Sequence, residues 1–222
     1  MKDFFWFKLL KILKTWSRVG LLNISQTALS DYVRPKVLSV GGFGPNDDFL
    51  RPFVVSKSGI FTTFDIDEMH SPDILGDICM VEEFVPPASA NVVIALEVLE
   101  HVSHPELAIN GVHKVLKNGG VFIFSTPWII PIHDRPSDYY RFTPTALRML
   151  CKEFSNVKIL ARGNYYDSVV VLLLRGLFMR GAAPRIFLVI GTLLAVISRR
   201  PKIHGNLGKI DSTIGYVVLA HK

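Results

Sequence analysis

The alternation of apolar and polar positions is clearest over Asn91–Arg141. Asn91–Leu96 is a continuous apolar run, short enough for a buried strand, and Glu106–Leu116 places its apolar residues at roughly helical spacing. Asn118-Gly119-Gly120 is expected to end this helix, and Val121–Phe124 is a second β-rich run. A strand, a helix and a strand in this order predict two parallel strands joined by a right-handed crossover.

Polar side chains gather where these two strands are predicted to end. Glu97 and His101 follow the first strand, and residues Ser125–Arg141 follow the second. In open α/β sheets, ligands bind beyond the carboxyl ends of the strands. We therefore expect the chemistry at this edge of the sheet.

Further strands are predicted on both sides of this region. They are Val37–Val40, Ile60–Phe64, Val157–Leu160 and Ile214–Ala220. Thr143-Pro144 has the composition of a helix start, and that helix is expected to run to about Phe154. The 222 residues suit one α/β domain with an appendage.

A glycine-rich turn follows the first of these strands and an acid ends the second. In Gly41-Gly42-Phe43-Gly44-Pro45, the glycines let the backbone approach a ligand closely. A dinucleotide motif would need a glycine where Asp47 stands, and its carboxylate would repel a pyrophosphate. A cofactor without phosphates fits better. Asp65, with Asp67 as the alternative, could accept hydrogen bonds from both ribose hydroxyls.

The segment that follows the predicted strand Val121–Phe124 is expected to be a loop that covers the carboxyl ends of the strands. Pro127, Pro131 and Pro136 exclude a regular helix, and a loop this rich in polar and aromatic groups is typical of a binding lid. His133 is the first candidate for a general base, because imidazole titrates near neutral pH. Asp138 would orient His133 or bind acceptor hydroxyls.

Four other residues of this loop are candidates for binding the acceptor: Trp128, Tyr139, Tyr140 and Arg141. The tyrosines could stack on a sugar or another ring. Arg141 could pair with a phosphate or carboxylate of the acceptor, or simply with Asp138. A loop held together by its own salt bridges is the alternative interpretation.

The sequence LEVLEHV combined with VLKNGG resembles class I S-adenosylmethionine-dependent methyltransferases. The later sequence HDRPSDYYRFTPTAL resembles a bacterial subgroup found among polysaccharide and lipid-linked sugar enzymes. The resemblance implies a Rossmann-like α/β fold with a mostly parallel seven-stranded sheet, an antiparallel last strand and S-adenosylmethionine as the cofactor. It also places the third strand region at Ile74–Met80.

The resemblance implies cofactor contacts at Gly41, Gly42, Gly44, Asp65, Asp77, Ile78 and Glu97. Asp77 would contact the adenine amino group, Ile78 would flank the ring, and Glu97 would line the methionine part. The chain departs from the family pattern at two places near the cofactor. Ser39 stands where an acid is usual near the end of the first strand, and Phe43 stands where a glycine is usual in the turn.

The net charge of +6 is concentrated in two segments that lie outside the predicted domain. On a helix, Met1–Arg18 would have a basic face and an aromatic-rich apolar face, as interfacial membrane helices do. Ser168–Ile210 has two apolar runs and seven basic residues without an acid. Packing on the domain or on a second subunit is the alternative for both. We expect an arm over residues 1–34, a methyltransferase domain over 35–167 and 211–222, and an apolar, basic helical insertion over 168–210.

The predicted function is methyl transfer to oxygen of a glycoconjugate or another amphipathic acceptor, small or lipid-linked, at the cytoplasmic membrane face. Methylation of a polyprenyl quinone precursor is one alternative, and an inactive membrane-associated scaffold is another. We expect a cytoplasmic protein, peripheral at the membrane or dimeric. We expect neither a metal nor a nucleic acid, because neither metal-like cysteine spacing nor an aromatic RNA-binding platform is present.

Overall fold

The computed structural model describes residues 20–42, 45–133, 136–176 and 213–222, together with 186, 189–191, 193–194 and 203–204. The predicted arm Met1–Arg18, the glycine Gly44 and most of the predicted insertion lie outside the described residues.

One twisted sheet forms the centre of the structure. Its strands are β1 (Lys36–Val40), β2 (Ile60–Asp65), β3 (Ile74–Leu75), β4 (Ala90–Leu96), β5 (Leu116–Pro127), β6 (Asn156–Arg162), β7 (Ile203–His204) and β8 (Gly215–His221). They are arranged in the order β3-β2-β1-β4-β5-β8-β6-β7. Strands β1 to β5 pair in parallel, and β8 runs antiparallel to both β5 and β6. The predicted mostly parallel sheet with a reversed last strand is confirmed, and β7 adds a short eighth strand at the edge.

Helices cover both faces of this sheet. They are α1 (20–30), α2 (Pro45–Ser56), α3 (Val81–Phe84), α4 (Pro105–Val115), α5 (Pro144–Leu150) and α6 (Tyr165–Gly176). Three short 3-10 turns, Glu68–His70, Ile78–Met80 and Leu99–His101, follow strands at the carboxyl edge. Thr143 caps α5 as predicted, because its hydroxyl accepts a hydrogen bond from the amide of Ala146.

Alternate residues of β4 point into two apolar layers. Val93 belongs to the layer that contains Ile109 and Val112 of α4. Val92, one position earlier, belongs to the layer that contains Leu50 of α2 and Leu29 of α1. Both faces of the strand are therefore buried, which explains why its sequence is continuously apolar rather than alternating.

Three details of the predicted elements are wrong. Helix α4 ends at Val115, one residue before the predicted end, but Asn118-Gly119-Gly120 does not cap it: these residues lie in a bulged stretch of β5, which starts at Leu116, where the register to β4 shifts and Gly119 has φ +76°. Only Ile74–Leu75 of the predicted third strand region pairs as a strand, because Asp77 caps a 3-10 turn. Helix α5 ends at Leu150 rather than near Phe154. In each case a local cap or bulge overrides the apolar pattern.

A search for membrane-crossing segments in the described residues finds no helix that combines the required length and apolarity.

Candidate active site

A tight backbone bend at Gly41 opens the carboxyl edge of β1. Gly41 has φ +58°, and its amide donates a 2.9 Å hydrogen bond to the carbonyl oxygen of Phe64 in β2. A Cβ atom at this position would lie 2.6 Å from Cγ2 of Val98. Both the left-handed backbone and the close approach require glycine here. The bend places the backbone of residues 41–42 at the edge where a ligand is expected.

A buried acid that sequence analysis treated only as repulsive lies beside this bend. Asp47, in the first turn of α2, is 7% exposed, and its Oδ1 accepts a 2.7 Å hydrogen bond from the hydroxyl of Ser39. Its Oδ2 has no partner among the described residues. Burial raises the pKa of Asp47 above its ordinary value. Residue 39, at the end of β1, is a serine and not an acid, and the next helix brings the carboxylate of Asp47 to that place.

Asp65 lies at the end of β2, as predicted, and its carboxylate is buried. One oxygen accepts a 2.9 Å hydrogen bond from the amide of Asp67, and the other lies 2.9 Å from Nδ1 of His70. Asp67 instead caps the turn Glu68–His70. Asp65 is therefore the better ribose candidate of the two. Sequence analysis missed His70, which is only five positions away along an irregular turn.

The two residues expected at the adenine have structural roles. Asp77 caps the turn Ile78–Met80 by accepting a 2.9 Å hydrogen bond from the amide of Cys79. Ile78 is 5% exposed and belongs to the apolar core on the α4 side of the sheet. Both residues lie beyond the end of β3, the strand next to β2. Their assignment to the adenine stays a prediction.

Glu97 follows β4 with φ +59°, and it is held by an arginine that the sequence did not reveal. Its carboxylate accepts a 2.7 Å hydrogen bond from the hydroxyl of Ser125 and receives both terminal nitrogens of Arg162. Arg162 is the last residue of β6 and is buried. Strand β6 is separated from β4 by β5 and β8 in the sheet, so no local pattern could have indicated the pair.

Asp138 holds the lid loop together from within. Its carboxylate binds both terminal nitrogens of Arg141 and accepts a 2.8 Å hydrogen bond from the amide of His133. These hydrogen bonds, with that from Arg141 the strongest, lower the pKa of Asp138 well below its usual range. Arg141 thus pairs with Asp138, one of the two partners expected for it, and its contact with an acceptor stays a prediction. The side chain of Asp138 is 1% exposed, so its main effect is to position His133 and Arg141.

The aromatic residues of the loop divide into a buried and an exposed group. Trp128 is half-buried, and its ring centroid lies 6.4 Å from that of Tyr216. Tyr139 and Tyr140 are exposed, and their amides bind the carbonyl oxygen of Glu100. The hydroxyl of Tyr140 also donates to the carbonyl oxygen of Ser103. Tyr139 is therefore the more accessible of the two rings for an acceptor.

Beneath the loop lies Glu100, a buried acid that sequence analysis did not single out. Its side chain is fully buried, and burial together with the charge of Glu97 raises its pKa to about 9. His101 and His133 flank it, with their ring centroids 4.9 Å apart in an edge-to-face arrangement. The sequence contained one signal for Glu100, namely the pair of acids in LEVLEHV, where Glu97 and Glu100 are three residues apart.

Comparison with known proteins agrees with this architecture. The family model described as a methyltransferase domain matches residues 66–124, which is less than half of the chain. The match supports the predicted enzyme class, a methyltransferase with S-adenosylmethionine as its cofactor. Among curated proteins, no sequence matches the chain.

Solved structures share the fold at low sequence identity. A S-adenosylmethionine-dependent methyltransferase from Archaeoglobus fulgidus is 14% identical with a TM-score of 0.55, and the alignment covers 90% of this chain and 94% of that one. One from Thermotoga maritima is 11% identical with a TM-score of 0.58, with 96% and 93% covered. The [4+2]-cyclase SpnF is 16% identical with a TM-score of 0.50, with 85% and 75% covered. Because a cyclase shares the fold, the fold alone does not fix the reaction.

The residues at the carboxyl edge fit the cofactor that the family match implies. S-adenosylmethionine carries positive charge and ribose hydroxyls but no phosphate. The edge offers the buried carboxylates of Asp47 and Asp65, and a bend at Gly41 and Gly42 where a Cβ atom would collide with neighbouring side chains. A carboxylate oxygen of Asp47 that lacks a partner in the described structure is a suitable acceptor for an ammonium group.

Proposed function

We propose that this chain transfers the methyl group of S-adenosylmethionine to an oxygen atom of an amphipathic acceptor. The observation that carries the proposal is the position of two buried carboxylates, Asp47 and Asp65, on either side of the bend at Gly41. They make the site anionic, which suits a cationic cofactor that carries no phosphate. The loop rich in polar and aromatic groups lies beside this site. The family match over residues 66–124 supports the same reaction class.

In this proposal the residues around the glycine bend bind the cofactor and orient it. Asp65 accepts hydrogen bonds from the ribose hydroxyls, and Asp47 accepts one from the ammonium group of the methionine part. The backbone of Gly41 and Gly42 lies against the cofactor, and Asp77 and Ile78 lie on the adenine side. When bound, S-adenosylmethionine supplies an electrophilic methyl group on a sulfonium. The chain therefore has mainly to align an acceptor oxygen and remove its proton.

The acceptor in this proposal lies between the end of β4 and the loop 128–143. Tyr139, 53% exposed, stacks on a ring of the acceptor, with Tyr140 and Trp128 at the sides. Arg141 keeps its pairing with Asp138 and offers its remaining donors. His133 as the base stays a prediction, supported by the 3.3 Å distance between its Nδ1 and Oδ2 of Asp138. The same carboxylate accepts a 2.8 Å hydrogen bond from the backbone amide of His133 and so fixes the position of the residue.

An amphipathic acceptor, such as a lipid-linked glycoconjugate, is the finer part of the proposal. Its support is an apolar surface in the described part of residues 186–194, where Ile186, Val189 and Leu193 are each more than half exposed. Together with the basic residues of Ser168–Ile210, this surface suits contact with an anionic membrane face. The division into an arm, a methyltransferase domain and an insertion belongs to the same proposal.

Three measurements test the proposal. Calorimetry with S-adenosylmethionine and with its demethylated product measures cofactor binding, and the absence of heat at millimolar ligand would refute it. Transfer of labelled methyl to lipid extracts and to glycoconjugates then measures the reaction. Flotation with anionic liposomes tests the membrane part, and a protein that stays in the soluble fraction would limit the proposal to soluble acceptors.

A further inference from the structure

Three side chains beneath the lid loop direct potential metal ligands toward a common point. Nε2 of His101 lies 3.7 Å from Oε1 of Glu100, and Nε2 of His133 lies 3.9 Å from the same oxygen. The three ligand atoms all lie within 4.8 Å of one another. Glu100 and His101 belong to the turn after β4, and His133 comes from the lid loop. The cluster therefore joins the two elements that are expected to face the acceptor.

Glu100 is the least satisfied polar side chain of this region. Its side chain is fully buried, and neither carboxylate oxygen has a hydrogen-bond partner among the described residues. The two histidine nitrogens lie beyond hydrogen-bond distance from it. A buried carboxylate without a partner is costly, so a protein retains one chiefly where a cation or a proton compensates it.

His101 is held by the nitrogen that faces away from Glu100, and the corresponding nitrogen of His133 lies near a carboxylate. Nδ1 of His101 lies 2.7 Å from the carbonyl oxygen of Ser137. Because a carbonyl oxygen only accepts, this nitrogen carries the proton, and the neutral ring presents the lone pair of Nε2 to Glu100. Nδ1 of His133 lies 3.3 Å from Oδ2 of Asp138, which Arg141 holds in place. Metal-binding histidines characteristically have such a carbonyl or carboxylate partner behind the ring.

The charges around the cluster also favour a cation. Arg162 pairs with Glu97 and Arg141 pairs with Asp138. Both guanidinium groups are thus paired with other carboxylates, and in the described structure Glu100 accepts a hydrogen bond from neither of them. When ionised, Glu100 gives the cluster an excess of negative charge.

We propose that Glu100, His101 and His133 bind a divalent transition-metal ion of the zinc or cobalt type. Two imidazoles and one carboxylate are a ligand set that such ions prefer. Bonds of about 2.0–2.1 Å in a tetrahedron place ligand atoms about 3.3 Å apart. The two observed Glu100–histidine separations of 3.7 and 3.9 Å are a few tenths of an ångström longer than this. The three atoms lie within 4.8 Å of one another, so metal binding would also draw the two histidines together. This inference departs from the sequence-based expectation of no metal.

The proposed ion has a role in the reaction that rests on the proposed function. Three protein ligands would leave at least one coordination position for an acceptor hydroxyl, whose proton would then pass more readily to a solvent water molecule. Nε2 of His133 then serves as a ligand and not as the base. The two roles are exclusive for one nitrogen, so a metal-binding experiment decides between them.

The test uses the full-length, tag-free protein after treatment with a chelator, titrated with cobalt(II) alone. We expect a visible d–d absorption band that saturates at one equivalent and disappears when zinc is added. Glu100→Gln and His133→Gln should each weaken cobalt binding at least about 100-fold, since each removes one of three ligands. His104→Gln is the matched control, because the ring of His104 is 64% exposed and lies beside the carboxylate of Glu106.

Two outcomes would overturn the inference: no band from the unmodified chain, or a band of unchanged affinity in both Glu100→Gln and His133→Gln. Thermal unfolding of each variant shows whether it is folded, and His101→Gln replaces any variant that is not. Calorimetry with the demethylated cofactor is run on the same samples. Cobalt binding without cofactor binding would support the metal site and refute the proposed function. Cofactor binding without cobalt binding would refute the metal site and leave the proposed function standing.

Discussion

The hydroxyl of Ser39 donates a 2.7 Å hydrogen bond to the carboxylate of Asp47. This contact joins the end of β1 to the first turn of α2 across the glycine bend. The end of β1 lacks the acid that the family pattern has there. A residue eight positions later, Asp47, brings a carboxylate to the same place. The second oxygen of Asp47 has no partner in the described structure.

Replacing Asp47 with Asn should weaken cofactor binding and alter the pH dependence of stability. Loss of a charge-assisted hydrogen bond of about 1.5–3 kcal/mol corresponds to roughly ten- to hundredfold weaker binding. The pKa of Asp47 is raised above 3.8 in the folded chain. As the pH rises from 3.8 through the folded-state value, the unfolded chain releases this proton first, and stability is lost.

The Asp47→Asn variant has no such proton, so its stability relative to the unmodified chain should increase over that pH range. Calorimetry with S-adenosylmethionine and urea unfolding at pH values between about 4 and 7 measure the two effects. A variant that binds the cofactor normally would show that Asp47 is only a structural acid. Ser39→Ala keeps the carboxylate and should affect binding less.

Replacing Gly41 with Ala should destabilise the fold through two separable effects. The left-handed backbone costs about 1 kcal/mol for alanine, and the new Cβ would lie 2.6 Å from Cγ2 of Val98. Gly119→Ala is the control, because Gly119 has φ +76° and no described atom lies within 4 Å of the added Cβ. Urea unfolding should therefore show a larger loss for Gly41→Ala than for Gly119→Ala.

The double variant Gly41→Ala/Val98→Ala separates the steric effect from the backbone effect. Removing the Val98 methyl groups should make the Gly41 substitution less costly than it is in the unmodified chain. Equal costs in both backgrounds would contradict the close approach that the structure shows.

Replacing Asp65 with Ala should weaken S-adenosylmethionine binding roughly ten- to hundredfold, because it removes an acceptor of charge-assisted hydrogen bonds from the ribose. Asp73→Asn is a matched control. The carboxylate of Asp73 binds Thr63 of the same strand and its side chain is 52% exposed, so its loss should affect stability alone. Calorimetry measures both variants, and unchanged affinity in Asp65→Ala would remove the ribose assignment.

Replacing Arg162 with Met should lower the free energy of unfolding by about 2–4 kcal/mol, because Glu97 would lose its charged partner in a largely buried place. The side chains of Arg162 and Glu97 are 7% and 30% exposed. The double variant Glu97→Gln/Arg162→Met should cost less than the sum of the single substitutions. Strict additivity in urea unfolding would show that the two side chains do not interact.

The positions of the central strands along the chain could be predicted from the sequence because each is a short apolar run bounded by turns or polar groups. The alternation of Val92 and Val93 between two apolar layers shows why such a run must be covered on both faces. Asp65 could likewise be placed at a strand end before the structure was known. The start of β5 at Leu116 could not, because its bulged first part follows from pairing with β4.

By itself, the sequence determined the strand–helix–strand unit, the glycine bend and the presence of a proline-rich polar loop, since these depend on local periodicity and turn chemistry. Only the tertiary structure decided which charges meet. Arg162 reaches Glu97 from 65 residues away, and His133 reaches Glu100 from another element. Such contacts depend on the order of the strands in the sheet and on the path of the loop. Neither can be deduced from the spacing of residues along the chain. The physical reason is that burial, set by the whole fold, decides which polar groups must find partners.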